Sequence, residues 1–201
     1  MTTKNGLRIT LIWALMIALI PAGSAFAVPA DKLEICHRPP DNPDNVRIIT
    51  ISRNALATHL AHGDHPSFGG SCYVVQAGDQ NATTSELACQ DEFGGHLASI
   101  HSLAEDNFIS QLVDPDATGE ITARIGGTAP GGFCSGPTAT YAWTDGTSWD
   151  YANWRSSTDE PNCTGAPASV QLWPNTNGWL SGWNDTPSAD PLGNFVCKYQ
   201  P

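Results

Sequence analysis

Six cysteines, all downstream of an apolar leader, constrain this chain more than any other feature. Lys4 and Arg8 make a basic start, Ile9 to Ile20 form an apolar run, and Ala25-Phe26-Ala27 offers a small-residue cleavage site. That order is the pattern of a secretory signal peptide over residues 1–27. The run is too short for a membrane span, which needs about 20 apolar residues. No cysteine follows it closely, which argues against a lipoprotein anchor. A secreted, periplasmic or extracellular location is expected. Cys36, Cys72, Cys89, Cys134, Cys163 and Cys197 would then meet an oxidising compartment. An even count there reads as three disulfides stapling a loop-rich fold.

Charge narrows the partners. Loss of Lys4 and Arg8 with the leader takes the formal charge from −11 to −13. Such an acidic chain repels nucleic acid and anionic membrane surfaces and favours divalent cations. Charged residues are only 14% of the chain, against 19 Gly, 15 Pro and 7 Trp, which favours β structure and long loops over a helical bundle.

Residues 28–70 form a module of their own composition, rich in His, Pro, Asn and Asp and without Trp. Pro39-Pro40-Asp41-Asn42-Pro43 excludes helix. Val46 to Ile51 is a short strand candidate. Asn54 to His62 is a helix candidate, with Asn54 as N-cap and Gly63 as its stop. Cys36, His37, His59, His62 and His65 lie within thirty residues or so. They could bind zinc, or Cys36 could be oxidised and the histidines could simply pack at the surface; three histidines without an HExxH-like base make a poor hydrolase. The segment is similar to a module of secreted bacterial proteins, CHxPPxNPxN…HLxHGD, carried here by Cys36, His37, Pro39, Pro40, Asn42, Pro43, Asn45, His59, Leu60, His62, Gly63 and Asp64. That resemblance implies no function.

Residues 71–201 begin with a strand-like run at Cys72-Tyr73-Val74-Val75. Two helices with capping boxes follow, Thr83 with Glu86 and Ser102 with Glu105. The first should run from about Thr84 to Phe93 and bury Leu87, Cys89 and Phe93. The second should run from about Leu103 to Val113 and bury Phe108, Ile109, Leu112 and Val113. His96 to Ile100 reads as a strand between them, and Arg124 to Gly127 as another. Asp145-Gly146, flanked by Tyr141-Ala142-Trp143-Thr144 and by Trp149, Tyr151 and Trp154, reads as a hairpin. Further strands are expected at Val170 to Trp173, Gly178 to Leu180 and Asn194 to Cys197. Early helices followed by short strands and long loops predict an α+β domain.

Two places in the second half gather oxygen donors. Glu160-Pro161-Asn162 and Asn184-Asp185 each offer a carboxylate and a carboxamide. These are hard ligands suited to Ca²⁺, which takes six to eight oxygens. A cis bond before Pro161 would turn both flanking side chains to one side.

From about Cys72 to Tyr199 the ordered motifs resemble a C-type lectin-like domain. They are Cys72-Tyr73, a helix with Cys89, Gly95-His96-Leu97-Ala98-Ser99-Ile100, a helix with Glu105, Ile125-Gly126-Gly127, Trp143-Thr144-Asp145-Gly146, Glu160-Pro161-Asn162, Trp183-Asn184-Asp185 and Phe195-Val196-Cys197. The resemblance implies an α+β C-type lectin-like fold: two helices with small antiparallel sheets and a long loop region, stapled by disulfides. It also implies a Cys89–Cys197 bond. The family's second pair is missing, with Ser169 and Ser188 near its places. Cys134 with Cys163, and Cys36 with Cys72, are the remaining expected pairs.

The resemblance further implies that Glu160, Asn162, Asn184 and Asp185 are calcium ligands that also bind a sugar's vicinal hydroxyls. Glu-Pro-Asn implies mannose, glucose or N-acetylglucosamine; the galactose-type motif carries Gln and Asp. The implied protein is no enzyme but a calcium-dependent carbohydrate-binding module, with glycans, including those of cell-surface glycoproteins, as partners. The alternative is a calcium-independent protein-binding or structural domain of the same fold. One ligand of the family pattern is absent: a Glu about six residues after Asn162, where Pro167 or Ala168 stands here. Asp159 or a backbone oxygen near Cys163 would have to substitute.

Overall fold

The structure is a computed structural model and describes residues 31–118, 121–129, 141–163, 168–174 and 182–201. The expected signal segment, Cys134, Pro167 and the strand expected at Gly178 to Leu180 lie outside the described residues.

In the N-terminal module, strands β1 (Lys32–His37) and β2 (Arg47–Ser52) pair antiparallel across the proline-rich loop, and helix α1 (Leu56–Ala61) follows. Strand β3 (His65–Phe68) then pairs with both β1 and β4 (Ser71–Gln80). Gly69 and Gly70 make that tight turn with φ of 59° and 87°, the left-handed region that glycine enters without a Cβ penalty. The module thus continues into the sheet of the following domain. A Cys36–Cys72 disulfide crosses the same junction, and both cysteines are fully buried.

Helix α2 (Ala82–Phe93) ends at Gly94, whose φ of 64° gives it a left-handed stop. Its cap is Asn81, not Thr83: the Asn81 side chain accepts from Thr84 N at 3.0 Å. Glu86 has other work, accepting from Leu97 N at 3.0 Å and lying 2.5 Å from His96 Nδ1. Leu87 is 49% exposed, so the α2 face that meets the core is set by Cys89. After β5 (His96–Leu97), helix α3 (Leu103–Val113) starts at Ser102, which accepts from Glu105 N at 3.2 Å as the capping box predicts. Ile109 and Val113 are buried, with Phe108 and Leu112 packed against the same core.

The remaining strands are β6 (Ala123–Thr128), β7 (Ala142–Trp143), β8 (Ala168–Trp173), β9 (Gly182–Pro187) and β10 (Leu192–Tyr199). Their order is β2-β1-β3-β4-β10-β6-β8-β9, with β5 beside β10 and β7 beside β6. The β10–β6 contact is parallel, and the other pairings are antiparallel. No hairpin ladder forms around Asp145-Gly146. Trp143 pairs with Gly127 of β6, and Trp154 instead makes a parallel bridge to Trp183. Side-chain packing explains the departure: Trp143, Trp149, Trp154, Tyr141 and Tyr151 gather around the buried Trp183 ring, with Trp143 and Trp149 stacked at 4.3 Å. Burying such rings is worth more than a two-residue ladder.

Cys89–Cys197 joins α2 to β10. Cys163 is also disulfide-bonded; its expected partner, Cys134, lies outside the described residues.

Candidate calcium and carbohydrate site

The Trp183 cluster positions one half of the site. On α3, buried Asp106 takes the Trp183 indole N–H at 3.3 Å, the Asn153 amide at 2.6 Å and the Tyr151 hydroxyl at 3.1 Å. Burial pushes the Asp106 carboxyl up, and those three donors pull it back only in part. Trp183 N also donates to Asn153 O at 2.6 Å, and Arg155 N to Trp183 O at 3.0 Å. The start of β9 is therefore tied to Asn153 and Arg155 on one edge and to β8 on the other, and Asn184 and Asp185 follow directly. No local motif marks Asp106 for this role. Its only sequence signal is a carboxylate on the face of a helix otherwise given to Ile109 and Val113.

The other half is the loop of residues 159–163. Asp159 and Cys163 both have positive φ, 54° and 64°, and the Glu160–Pro161 bond is cis. Glu160 and Asn162 face one another: Asn162 Nδ2 donates to Glu160 Oε1 at 3.0 Å, and Asn162 N to Glu160 Oε2 at 3.1 Å. Asp185 closes the loop from β9, accepting from Asn162 N at 2.7 Å and Cys163 N at 3.0 Å. Three of the four expected ligands are thus joined by hydrogen bonds. Asn184, on the neighbouring position of β9, donates to its own strand at Asp185 O (3.0 Å) and to Gln171 Oε1 (3.4 Å), the residue opposite it in register on β8. Gln171 adds an amide oxygen that the sequence motifs do not point to. Ala168, at the place of the missing carboxylate, is buried in β8, and Asp159 is exposed.

The electrostatics suit a cation. Burial, and then the nearness of the Asp185 carboxylate, push the Glu160 carboxyl up, against bonds from Thr158 and Asn162 that lower it. Burial first, and then the same two carboxylates, push the Tyr141 phenol up. Among the described residues neither Glu160 nor Asp185 forms an ion pair with Lys, Arg or His. The Glu160 and Asp185 carboxylates and the Asn162 and Asn184 carboxamides are hard oxygen donors, a donor set that fits Ca²⁺ rather than a softer ion.

A scan against protein-family models finds no match. A lectin of Pleurodeles waltl is 33% identical over 58% of this chain and 63% of its own length. A C-type lectin mannose-binding isoform of Notechis scutatus scutatus is 30% identical over 75% of this chain and 90% of its own length. This chain belongs to the C-type lectin-like family. Among solved structures it is similar to CEL-IV (TM-score 0.56, 26% identity, 68% of this chain and 90% of that one). It is also similar to a calcium-independent type II antifreeze protein (TM-score 0.51, 27% identity, 67% and 89%). The chain spans just under two thirds of the Pleurodeles protein. These relatives are lectins and lectin-like proteins, in keeping with a binding domain rather than an enzyme. No helix among the described residues is long and apolar enough to cross a membrane.

Proposed function

We propose that this C-type lectin-like domain is an exported, calcium-dependent carbohydrate-binding module that recognises mannose-, glucose- or N-acetylglucosamine-type sugars through Glu160, Asn162, Asn184 and Asp185. It would act in glycan recognition or adhesion outside a bacterial cell, with cell-surface glycoproteins among its partners. The observation that carries the reading is the pair of neighbouring carboxylates, Glu160 and Asp185, joined through Asn162 and without a cationic ion-pair partner among the described residues. Calcium would neutralise that pair and polarise the sugar hydroxyls. The carboxylates accept from those hydroxyls, and the Asn162 and Asn184 amides supply the donors. Hydrogen bonds among Glu160, Asn162 and Asp185, and the Asp106-anchored strand that carries Asn184 and Asp185, support this reading.

The absent middle carboxylate lowers the ligand charge, and affinity follows that count. A calcium Kd near the weak extracellular range, about 10⁻⁴–10⁻³ M, is expected. The test is retention on mannose resin with millimolar calcium and with chelator. Retention only in calcium, lost in Glu160→Ala, supports the reading; equal retention in chelator overturns it. Exchanging Glu160→Gln with Asn162→Asp should move preference from mannose to galactose.

One observation favours a second reading, a calcium-independent interaction domain. Both Asp185 oxygens and both Glu160 oxygens already take N–H donors from the loop itself, so the loop closes without an ion. The same chelator experiment separates the two.

A further inference from the structure

The N-terminal module gathers a second set of ligating side chains, remote in sequence from the lectin motifs. Cys36 is in a disulfide, and His65 turns to the Tyr199 hydroxyl at 2.7 Å. Neither therefore joins the zinc grouping that their spacing suggests. Asp64 takes their place. His37 Nδ1 lies 2.9 Å from Asp64 Oδ2, and His59 Nδ1 lies 2.7 Å from the same oxygen. The three potential ligand atoms fall within 4.8 Å of one another.

The surroundings are built for a charged group. The Asp64 side chain is 1% exposed, while His37 and His59 are 32% and 24% exposed. A buried carboxylate therefore lies beneath two rings open to solvent, and an ion has a way in. Arg38 N donates to Asp64 Oδ1 at 2.7 Å, the kind of outer bond that orients a ligating carboxylate. No Lys or Arg side chain pairs with Asp64 among the described residues; the Arg38 guanidinium donates to Pro43 O instead. The disulfide fixes the residue before His37, and the turn at Gly63, φ 90°, fixes the residue before Asp64.

We propose that His37, His59 and Asp64 form a binding site for a borderline divalent metal ion of the Zn²⁺ class, tying the end of β1 to α1. Two imidazoles and one carboxylate suit zinc and its neighbours rather than calcium or magnesium. Tetrahedral zinc with bonds of about 2.0–2.2 Å holds its ligands about 3.4 Å apart. From 2.9 and 2.7 Å to Asp64 Oδ2, the two imidazole nitrogens would move outward by about 0.5–0.7 Å, and any pair as far apart as 4.8 Å would draw in, to reach that spacing. Three protein ligands leave a fourth position for water. The site is independent of the calcium reading and uses none of its residues.

The experiment is zinc titration of the purified, untagged, disulfide-bonded protein by calorimetry in millimolar calcium. Cobalt substitution read by visible absorption accompanies it. One zinc per chain, with tetrahedral-type cobalt bands, is the expected result. His59→Ala and Asp64→Asn should each weaken zinc binding by at least about tenfold, with His96→Ala unchanged. Circular dichroism checks that each variant is folded, and the cobalt spectrum of the unaltered protein decides the matter should one fail to fold. No saturable zinc binding, cobalt bands of six-coordinate type, or binding untouched by the His59 and Asp64 changes overturns the proposal.

Discussion

Several single residues carry more than their sequence neighbourhood suggests. Glu105 is one: it caps nothing with its side chain. It accepts instead from the Tyr73 hydroxyl at 2.6 Å, from His101 N at 2.8 Å and from Lys198 Nζ at 2.7 Å. With side chains only 15% and 7% exposed, Lys198 and Glu105 form a largely buried pair. Lys198→Met should cost about 3 kcal/mol, because it strands a buried carboxylate; urea unfolding measures it. Asp145 is another. Burial would raise its carboxyl, but the Ser99 and Thr147 donors and the Lys198 charge together hold it below its ordinary value of 3.8. The unfolded chain therefore takes up this proton at higher pH than the folded one. The Asp145 contribution is present above about pH 3.8 and lost as pH falls through its folded value. Thermal unfolding should show Asp145→Asn less stable than the parent at pH 7, with the gap closing towards pH 3.

At the scale of elements, caps and packing decide between competing readings of the same letters. Asn81, Thr83 and Thr84 all offer cap chemistry near the start of α2; the structure uses Asn81, and the two threonines lie in the first turn. Asn81→Ala should lower stability by about 1 kcal/mol, and Thr83→Ala should leave the midpoint of unfolding nearly unchanged. The Ser102 cap of α3 was legible from the spacing, but only half of the capping box forms, because the Glu105 carboxylate goes to His101 N, Tyr73 and Lys198 instead of Ser102 N. The capping box of α2 misleads because Glu86 is drawn to His96 and Leu97, contacts made only after the chain has turned back. Strands β1 and β3 are short and lack a clear alternating pattern, although Pro39–Pro43 and Gly69-Gly70 mark turns after them. They exist because β2 and β4 flank them and the Cys36–Cys72 bond closes the junction.

Across the whole molecule, long-range ties do the stapling. Cys89–Cys197 spans 108 residues and Cys36–Cys72 spans 36. In the chain-entropy account these constrain the unfolded state by about 4.8 and about 3.8 kcal/mol. Replacing the first pair by alanines should therefore lower the urea midpoint more than replacing the second. Where the family pattern has its other disulfide, this chain has Ser169 and Ser188. Buried Arg124 of β6 spans nearly the same gap, donating to Ser169 Oγ and, at 2.6 Å, to Asp190 O. A charged hydrogen-bond bridge thus stands close to where a covalent one is absent.

The class of fold was legible in the chain, because motif order, capping at Ser102, the glycine stops and the cysteine in α2 are local or count-based signals. The candidates Glu160, Asn162, Asn184 and Asp185 were legible too, since they stand as short local motifs. How Glu160, Asn162 and Asp185 come together was not: Asp106, far away on α3, anchors Trp183, and the Asp185 carboxylate then reaches the amides of Asn162 and Cys163. Likewise the histidine-rich module advertised metal chemistry, and the expected Cys36–Cys72 pair forms, but nothing local showed Asp64 buried between His37 and His59. Contacts of that kind join residues dozens of positions apart. Their energies come from burial and charge pairing, which no local pattern records.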